Sequence, residues 1–130
     1  MRNLIKTHII CLITMLFLQT TYAAQFPKNL FDFYINKAKI AATTIEVKNV
    51  AQMIYLDYIA GIEIPTPEMF SDYIRKHNRP PYGHNRDTAL DFWNNFYLLI
   101  NDRDGFKVVS KGPDGLLNSK DDVIYGFYLD

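Results

Sequence analysis

The chain has 130 residues, 48% of them hydrophobic and 15% aromatic, which is material for about one packed core and excludes wholesale disorder. Its 14 basic and 14 acidic residues balance, so there is no basic excess to recruit phosphates, and no nucleic-acid partner is expected. One cysteine, Cys11, is too few for an internal disulfide framework.

The N-terminus reads as an export signal. Arg2 and Lys6 give a positive start, Ile9 to Leu18 an almost unbroken apolar run, and Thr21-Tyr22-Ala23 small residues at cleavage spacing. The expected organisation is a signal peptide over 1–23, cleaved after Ala23 or Ala24, and one globular domain over 24–130. The apolar run falls short of the roughly 20 residues a bilayer-spanning helix needs, so no membrane span is expected after cleavage. Bulky Ile10 before Cys11 argues against lipidation at that cysteine. Loss of the leader removes the only cysteine, and with it any thiol nucleophile or cysteine-ligated zinc. It also removes Arg2 and Lys6, leaving a net charge of about −2 and a periplasmic or secreted protein better suited to a metal cation than to an anion.

From Asn29 to about Ala60 there is no Pro or Gly, and Gly61 follows as a left-handed stop, so the spacing predicts one long helix. Leu30, Tyr34, Ala38, Ala41 and Ile45, then Val47, Val50, Ile54 and Tyr58, step by three and four and predict a buried stripe that shifts once near the middle. Thr66 is placed to cap a second helix, with Pro67 at its first position, Glu68 at the positive end of its dipole, and Arg75, Lys76 and His77 in its last turn. Asn78 to Asp87 is a Pro-rich loop. The period then becomes that of strands: Phe96 to Ile100, Phe106 to Ser110 and Val123 to Leu129, the first two joined by a hairpin turn over Asn101 to Gly105 with Gly105 at positive φ. The expected fold is α+β, a long N-terminal helix packed on a small antiparallel sheet.

The stretch from Ser110 to Asp122 carries the most chemistry. Calcium takes six to eight oxygens, which requires several carboxylates brought together by a loop that can turn its carbonyls inward. Gly112, Pro113 and Gly115 supply tight turns around Asp114, and Asp121 and Asp122 return seven and eight positions later. Three gathered carboxylates repel one another unless a cation lies among them. The competing reading is a solvated loop of ordinary turn residues. An EF-hand does not fit: with Gly115 as the invariant glycine, the last ligand would be Asp121 in place of Glu.

The order of elements resembles the major pseudopilin of the type II secretion system, collinearly from about Pro27 onward. Pro27 stands where the stem helix of that family has its proline, and Ile54-Tyr55-Leu56-Asp57 closes the long helix in a similar way. Asp91-Phe92-Trp93-Asn94-Asn95-Phe96-Tyr97 resembles the family's Asp-Pro-Trp-Gly-Asn-Pro-Tyr element, and Ser110 to Gly115 with Asp121-Asp122 resembles its calcium loop. The resemblance implies calcium as cofactor, with side-chain ligands Asp114, Asp121 and Asp122, the Lys111 carbonyl as a backbone ligand, and a further carbonyl at Asn118 or Ser119. It also implies protein partners, either the secretion apparatus or other pseudopilins. The sequence departs from the family at its start: there is no Gly-Phe junction, and the first acidic residue is Asp32. It therefore resembles a pseudopilin globular domain without its prepilin leader and membrane stem. Trp93 and Tyr97 read as packing anchors.

The leading expectation is an exported, calcium-binding, non-enzymatic protein with a binding or assembly role. One alternative is a membrane-anchored, divergent pseudopilin that keeps its N-terminal segment as a stem. The other is a small envelope hydrolase, for which only His77 and His84 survive cleavage and no catalytic motif is present.

Overall fold

The computed structural model describes residues 28–80 and 85–129. The expected signal peptide, the Pro27 landmark and His84 lie outside these residues. The chain divides into two units, Met1–Asn36 and Lys37–Asp130. Of the first, residues 28–36 are described: they are helical, with Leu30, Phe31, Phe33, Tyr34 and Ile35 exposed.

Helix α1 spans Lys28–Ile59. Gly61 ends it as expected, at φ +83, with its N–H donating to Tyr58 O (2.9 Å) and that of Ile62 reaching Asp57 O (2.9 Å). This pair of bonds satisfies carbonyls the helix end would leave open, and it needs a residue at ease in the left-handed region.

Of the apolar stripe, only Val47, Val50 and Ile54 are buried. Val47, Val50, Ala51 and Ile54 lie in the core together with Thr43, whereas Leu30, Tyr34, Ile45 and Tyr58 are exposed. Periodicity marks which residues share a helix face; whether a partner covers that face is decided by elements far away in sequence. Truncating Ile54 to Ala is therefore expected to cost about 2–5 kcal/mol, and Ile45→Ala within about 0.5 kcal/mol of nothing, in parallel urea unfolding of the two variants.

A single 3₁₀ turn, Pro67–Met69, leads into α2, Phe70–His77. Thr66 stands at the expected cap position, but its side chain makes no capping bond to the backbone. Its hydroxyl goes to Glu68, whose carboxyl is held below the usual range first by its own backbone N–H and then by Thr66. Phe70 and Ile74 enter the core, and Arg75, Lys76 and His77 fill the last turn as expected.

Strands β1 (Leu98–Asp102), β2 (Gly105–Ser110) and β3 (Val123–Tyr128) form one antiparallel sheet in that order. β1 starts two residues later than expected, because Phe96 makes only an isolated bridge to Leu90. At its other end β1 runs into the expected turn, so that Asp102 pairs with Gly105 and the turn shrinks to Arg103-Asp104. Gly105 has the expected positive φ, +156. Pairing Leu99 with Val108 and Val108 with Tyr125, and Phe106 with Phe127, puts all five on one face. That face belongs to the cluster built on Val47, Val50, Ala51, Ile54, Phe70 and Ile74. Tyr55 of α1 stacks on Phe127 of β3 with ring centroids 4.3 Å apart. The observed architecture is thus α+β, a long helix and a three-stranded antiparallel sheet.

Candidate metal centre

The loop from Lys111 to Asp122 connects β2 to β3, and its two ends meet. Gly112 adopts φ +60, and a Cβ there would lie 2.4 Å from the Asp121 carbonyl oxygen and 2.7 Å from Asp121 Oδ2. Only glycine tolerates both the conformation and the approach. Within the closed loop, backbone N–H groups fix each carboxylate: Leu116 N donates to Asp114 Oδ1 (2.8 Å), Asp114 N to Asp121 Oδ2 (3.2 Å) and Asn118 N to Asp122 Oδ2 (2.7 Å). Such short side-chain-to-backbone bonds are what Asp provides in turns, and Asn118 sits at φ +68, which Asn accepts more readily than most residues.

One oxygen of each carboxylate lies near a single atom, Ser119 Oγ, at 2.6 Å for Asp121 Oδ1, 3.3 Å for Asp122 Oδ1 and 3.4 Å for Asp114 Oδ1, the last already bonded to Leu116 N. A hydroxyl has a single proton to donate. The short bond to Asp121 uses it, so the other two contacts set oxygen lone pairs against oxygen lone pairs. The Ser119 bond is also the main cause that holds the Asp121 carboxyl below its usual range.

The structure thus brings together the three expected side-chain ligands. Lys111 lies half-buried between Ser110 and Gly112; Asn118 is exposed and Ser119 half-buried. Ser119 was expected to take part through its carbonyl, yet its hydroxyl is what the carboxylates surround. Every donor is oxygen, which suits a hard divalent cation. As folded, each carboxylate is engaged by the backbone and by Ser119, and among the described residues no group of three or more His, Cys, Asp or Glu side chains is set to hold a metal.

A second polar cluster supports the loop from beneath. Asp91, only 1% exposed, accepts from Trp93 N and Asn95 N through Oδ1 (2.9 Å each) and from Ser110 Oγ through Oδ2 (2.7 Å). Asn95 Nδ2 donates to Gly112 O (2.8 Å), and Gly112 N donates back to Ser110 Oγ (3.2 Å). The segment from Asp91 to Tyr97 is in this way bonded to the residue on which the acidic loop closes. Half-buried Trp93 takes its place through its backbone N–H, while Tyr97 is a core residue.

One turn earlier, Arg86 pairs with both Glu46 oxygens (2.7 and 2.6 Å), donates to Leu90 O (2.5 Å) and lies 4.0 Å over the Phe92 ring. Tyr97 Oη donates to Glu46 Oε2 (2.6 Å). Burial, and then the Glu46 bond, push the Tyr97 hydroxyl far above its ordinary pKa, so it remains a proton donor. Arg86 Nε is buried with no hydrogen-bond partner among the described residues. Glu46, Arg86, Asp91, Asn95 and Ser110 were not marked by sequence as a working set, since the bonds among them and to Tyr97 and Gly112 reach as far as 51 positions.

His77 turns its Nδ1 toward Tyr73 O (3.0 Å) and its ring against Tyr73. Tyr73 Oη in turn donates to Asp57 Oδ2 (2.7 Å), and its pKa is raised first by burial and then by that bond.

The chain matches no protein-family model, no curated protein and no solved structure.

Beside Glu68, two further carboxylates bear on acid stability. Asp87 is held below its usual value of 3.8 chiefly by Arg75, which bonds both its oxygens (3.0 and 2.9 Å), and Asp121 is lowered chiefly by Ser119. A carboxyl whose folded pKa lies below its unfolded one stabilises the fold fully above the unfolded value, and that contribution is lost as pH falls through the folded value. The melting temperature is therefore expected to be flat with respect to these groups near neutrality and to fall below about pH 4, and Asp87→Asn to flatten part of that fall. A scan of melting temperature from neutral to strongly acid pH, with and without the substitution, checks it.

Proposed function

We propose that this chain is an exported, calcium-binding, non-enzymatic protein of pseudopilin-like form, with a binding or assembly role linked to type II protein secretion. The carrying observation is the convergence of Asp114, Asp121 and Asp122 on one hydroxyl within 3.4 Å, in a loop whose ends are closed against each other. Calcium would be held by these three side chains with the Lys111 carbonyl and a carbonyl at Asn118 or Ser119. Its charge would replace the single Ser119 proton as the neutralising element.

Two local features support the pseudopilin reading. Asn94 has φ +65, so the position where the family's element carries Gly demands the left-handed conformation, and Asn meets that demand at small cost. The two segments that carry the resemblance are also bonded to one another, through Asp91 to Ser110 and Asn95 to Gly112. The engagement of His77 with Tyr73 favours a structural role for that histidine over a hydrolytic one.

Titration calorimetry of calcium into the chelator-stripped chain tests the proposal. One saturable site that survives excess magnesium is expected, because magnesium dehydrates reluctantly and demands a stricter octahedron. Absence of binding at millimolar calcium would remove the reading.

A further inference from the structure

We propose that the groove running from Asp57 to His77 is the docking site for the opening turns of α1 of a second copy of this chain, in head-to-tail order. The groove has a volume of about 480 Å³ and is lined by Ile62 and Met69, exposed by 53% and 65%, with Asp57, Glu63 and Asp72 against a single Lys76. Its lining thus mixes apolar side chains with an acidic excess, in which Asp57 also accepts from Tyr73 Oη (2.7 Å) and Asp72 pairs with Arg75 (2.9 Å).

The opening of α1 has the opposite character. At 100° per residue, Leu30, Phe31, Tyr34, Ile35 and Ala38 fall within about 140° of the helix circumference, with Lys37 at one border and Lys28 and Lys39 at the other. Leu30, Phe31, Tyr34 and Ile35 are each at least 40% exposed. The three lysines face a single acidic residue, Asp32, in that stretch. An amphipathic helix laid into an apolar groove is a recurrent recognition mode, and opposite charge across the contact fixes its orientation and speeds encounter. Both features occur once in every copy, at the start of α1 and from its last turn onward, which matches supply to demand in a chain of identical molecules. The contact joins two different surfaces, so copies link in series, into a ring where the rotation closes and an open row where it does not. The inference goes beyond the calcium reading and uses none of the residues of the acidic loop.

Sedimentation velocity of the full chain at concentrations up to about 0.2 mM tests it, a range in which even a Kd of that order is visible. The wild type is expected to associate with rising concentration, less so at high salt. Tyr34→Glu and Ile62→Glu change exposed positions, and unchanged circular dichroism verifies that each variant folds. Each is expected to be monomeric alone, and their mixture to form a complex of one to one, because one variant keeps its groove and the other its helix. A monomeric wild type, single variants that associate as the wild type does, or a mixture that stays monomeric would each overturn the proposal. So would binding of the wild type to anionic phosphatidylglycerol vesicles through the same lysines without self-association. The pattern is expected both in calcium and in chelator, which separates its failure from a failure of the metal reading.

Discussion

Asp91→Ala is expected to destabilise the protein by about 3–5 kcal/mol and to weaken calcium binding with it, because the substitution strips a buried cluster of its only anion. The carboxylate is 1% exposed and accepts from two backbone N–H groups and one hydroxyl at 2.9 Å or less. Hydrogen bonds to a charged acceptor are each worth about 1.5–3 kcal/mol, and donors left behind in a dry site lose their solvation without recompense. Ser110 Oγ and the side chain of Asn95 would lose the partner that orients them, and these two atoms grip the Gly112 backbone. Asp91→Asn keeps one oxygen for the two N–H groups, and Ser110 can turn to accept from the new amide, so a smaller loss of about 1–2 kcal/mol is expected. Urea unfolding gives both numbers; equal losses for Ala and Asn would show that the carboxylate does not organise the cluster as described.

Calcium is expected to raise the melting temperature of the chelator-treated protein by roughly 10–20 °C at a hundredfold excess over its dissociation constant, since that excess adds about 2.7 kcal/mol to the folded state. Asp121→Ala is expected to abolish the shift. Asp121 carries the Ser119 bond through one oxygen and the Asp114 N–H through the other, and its backbone is the surface on which Gly112 closes. It thus stands at the meeting point of the loop's two ends. Lys120→Ala, next to it but exposed and with a side chain of the wrong charge for a cation ligand, is expected to retain the full shift. Thermal melts of the three proteins with calcium and with chelator separate a site-specific effect from a general one of ionic strength.

Much of the fold was legible from local sequence. A run without Pro or Gly ended by Gly61 gave α1 to within one residue at each end, and the apolar and β-branched run from Phe106 to Ser110 gave β2 to within one residue. The acidic loop lies within nine residues, and Asp114, Asp121 and Asp122 each bring an oxygen within 3.4 Å of Ser119 Oγ, although as folded the described residues form no group set to hold a metal. The readings that failed each depended on a distant partner. Leu30 and Ile54 share a periodicity, yet Leu30 is exposed while Ile54 is buried in one core with a sheet that begins at Leu98. Thr66 has the chemistry of a cap, but Glu68 takes its hydroxyl. Asp91 entered only through the resemblance, and Glu46 and Arg86 were not singled out, because nothing local shows that Ser110 comes to rest beside the first and that the other two meet across 40 positions. Ser119 was placed in the loop for its backbone, and its hydroxyl became the point of convergence only once the chain had turned at Asn118.

The most direct measurement is a crystal structure of the chain grown in millimolar calcium. One ion bound by oxygens of Asp114, Asp121 and Asp122 at about 2.3–2.6 Å, with Ser119 Oγ moved off the centre between them, is the result expected. Three carboxylates still gathered on Ser119 and the backbone, with calcium in the solution and none in the loop, would contradict it.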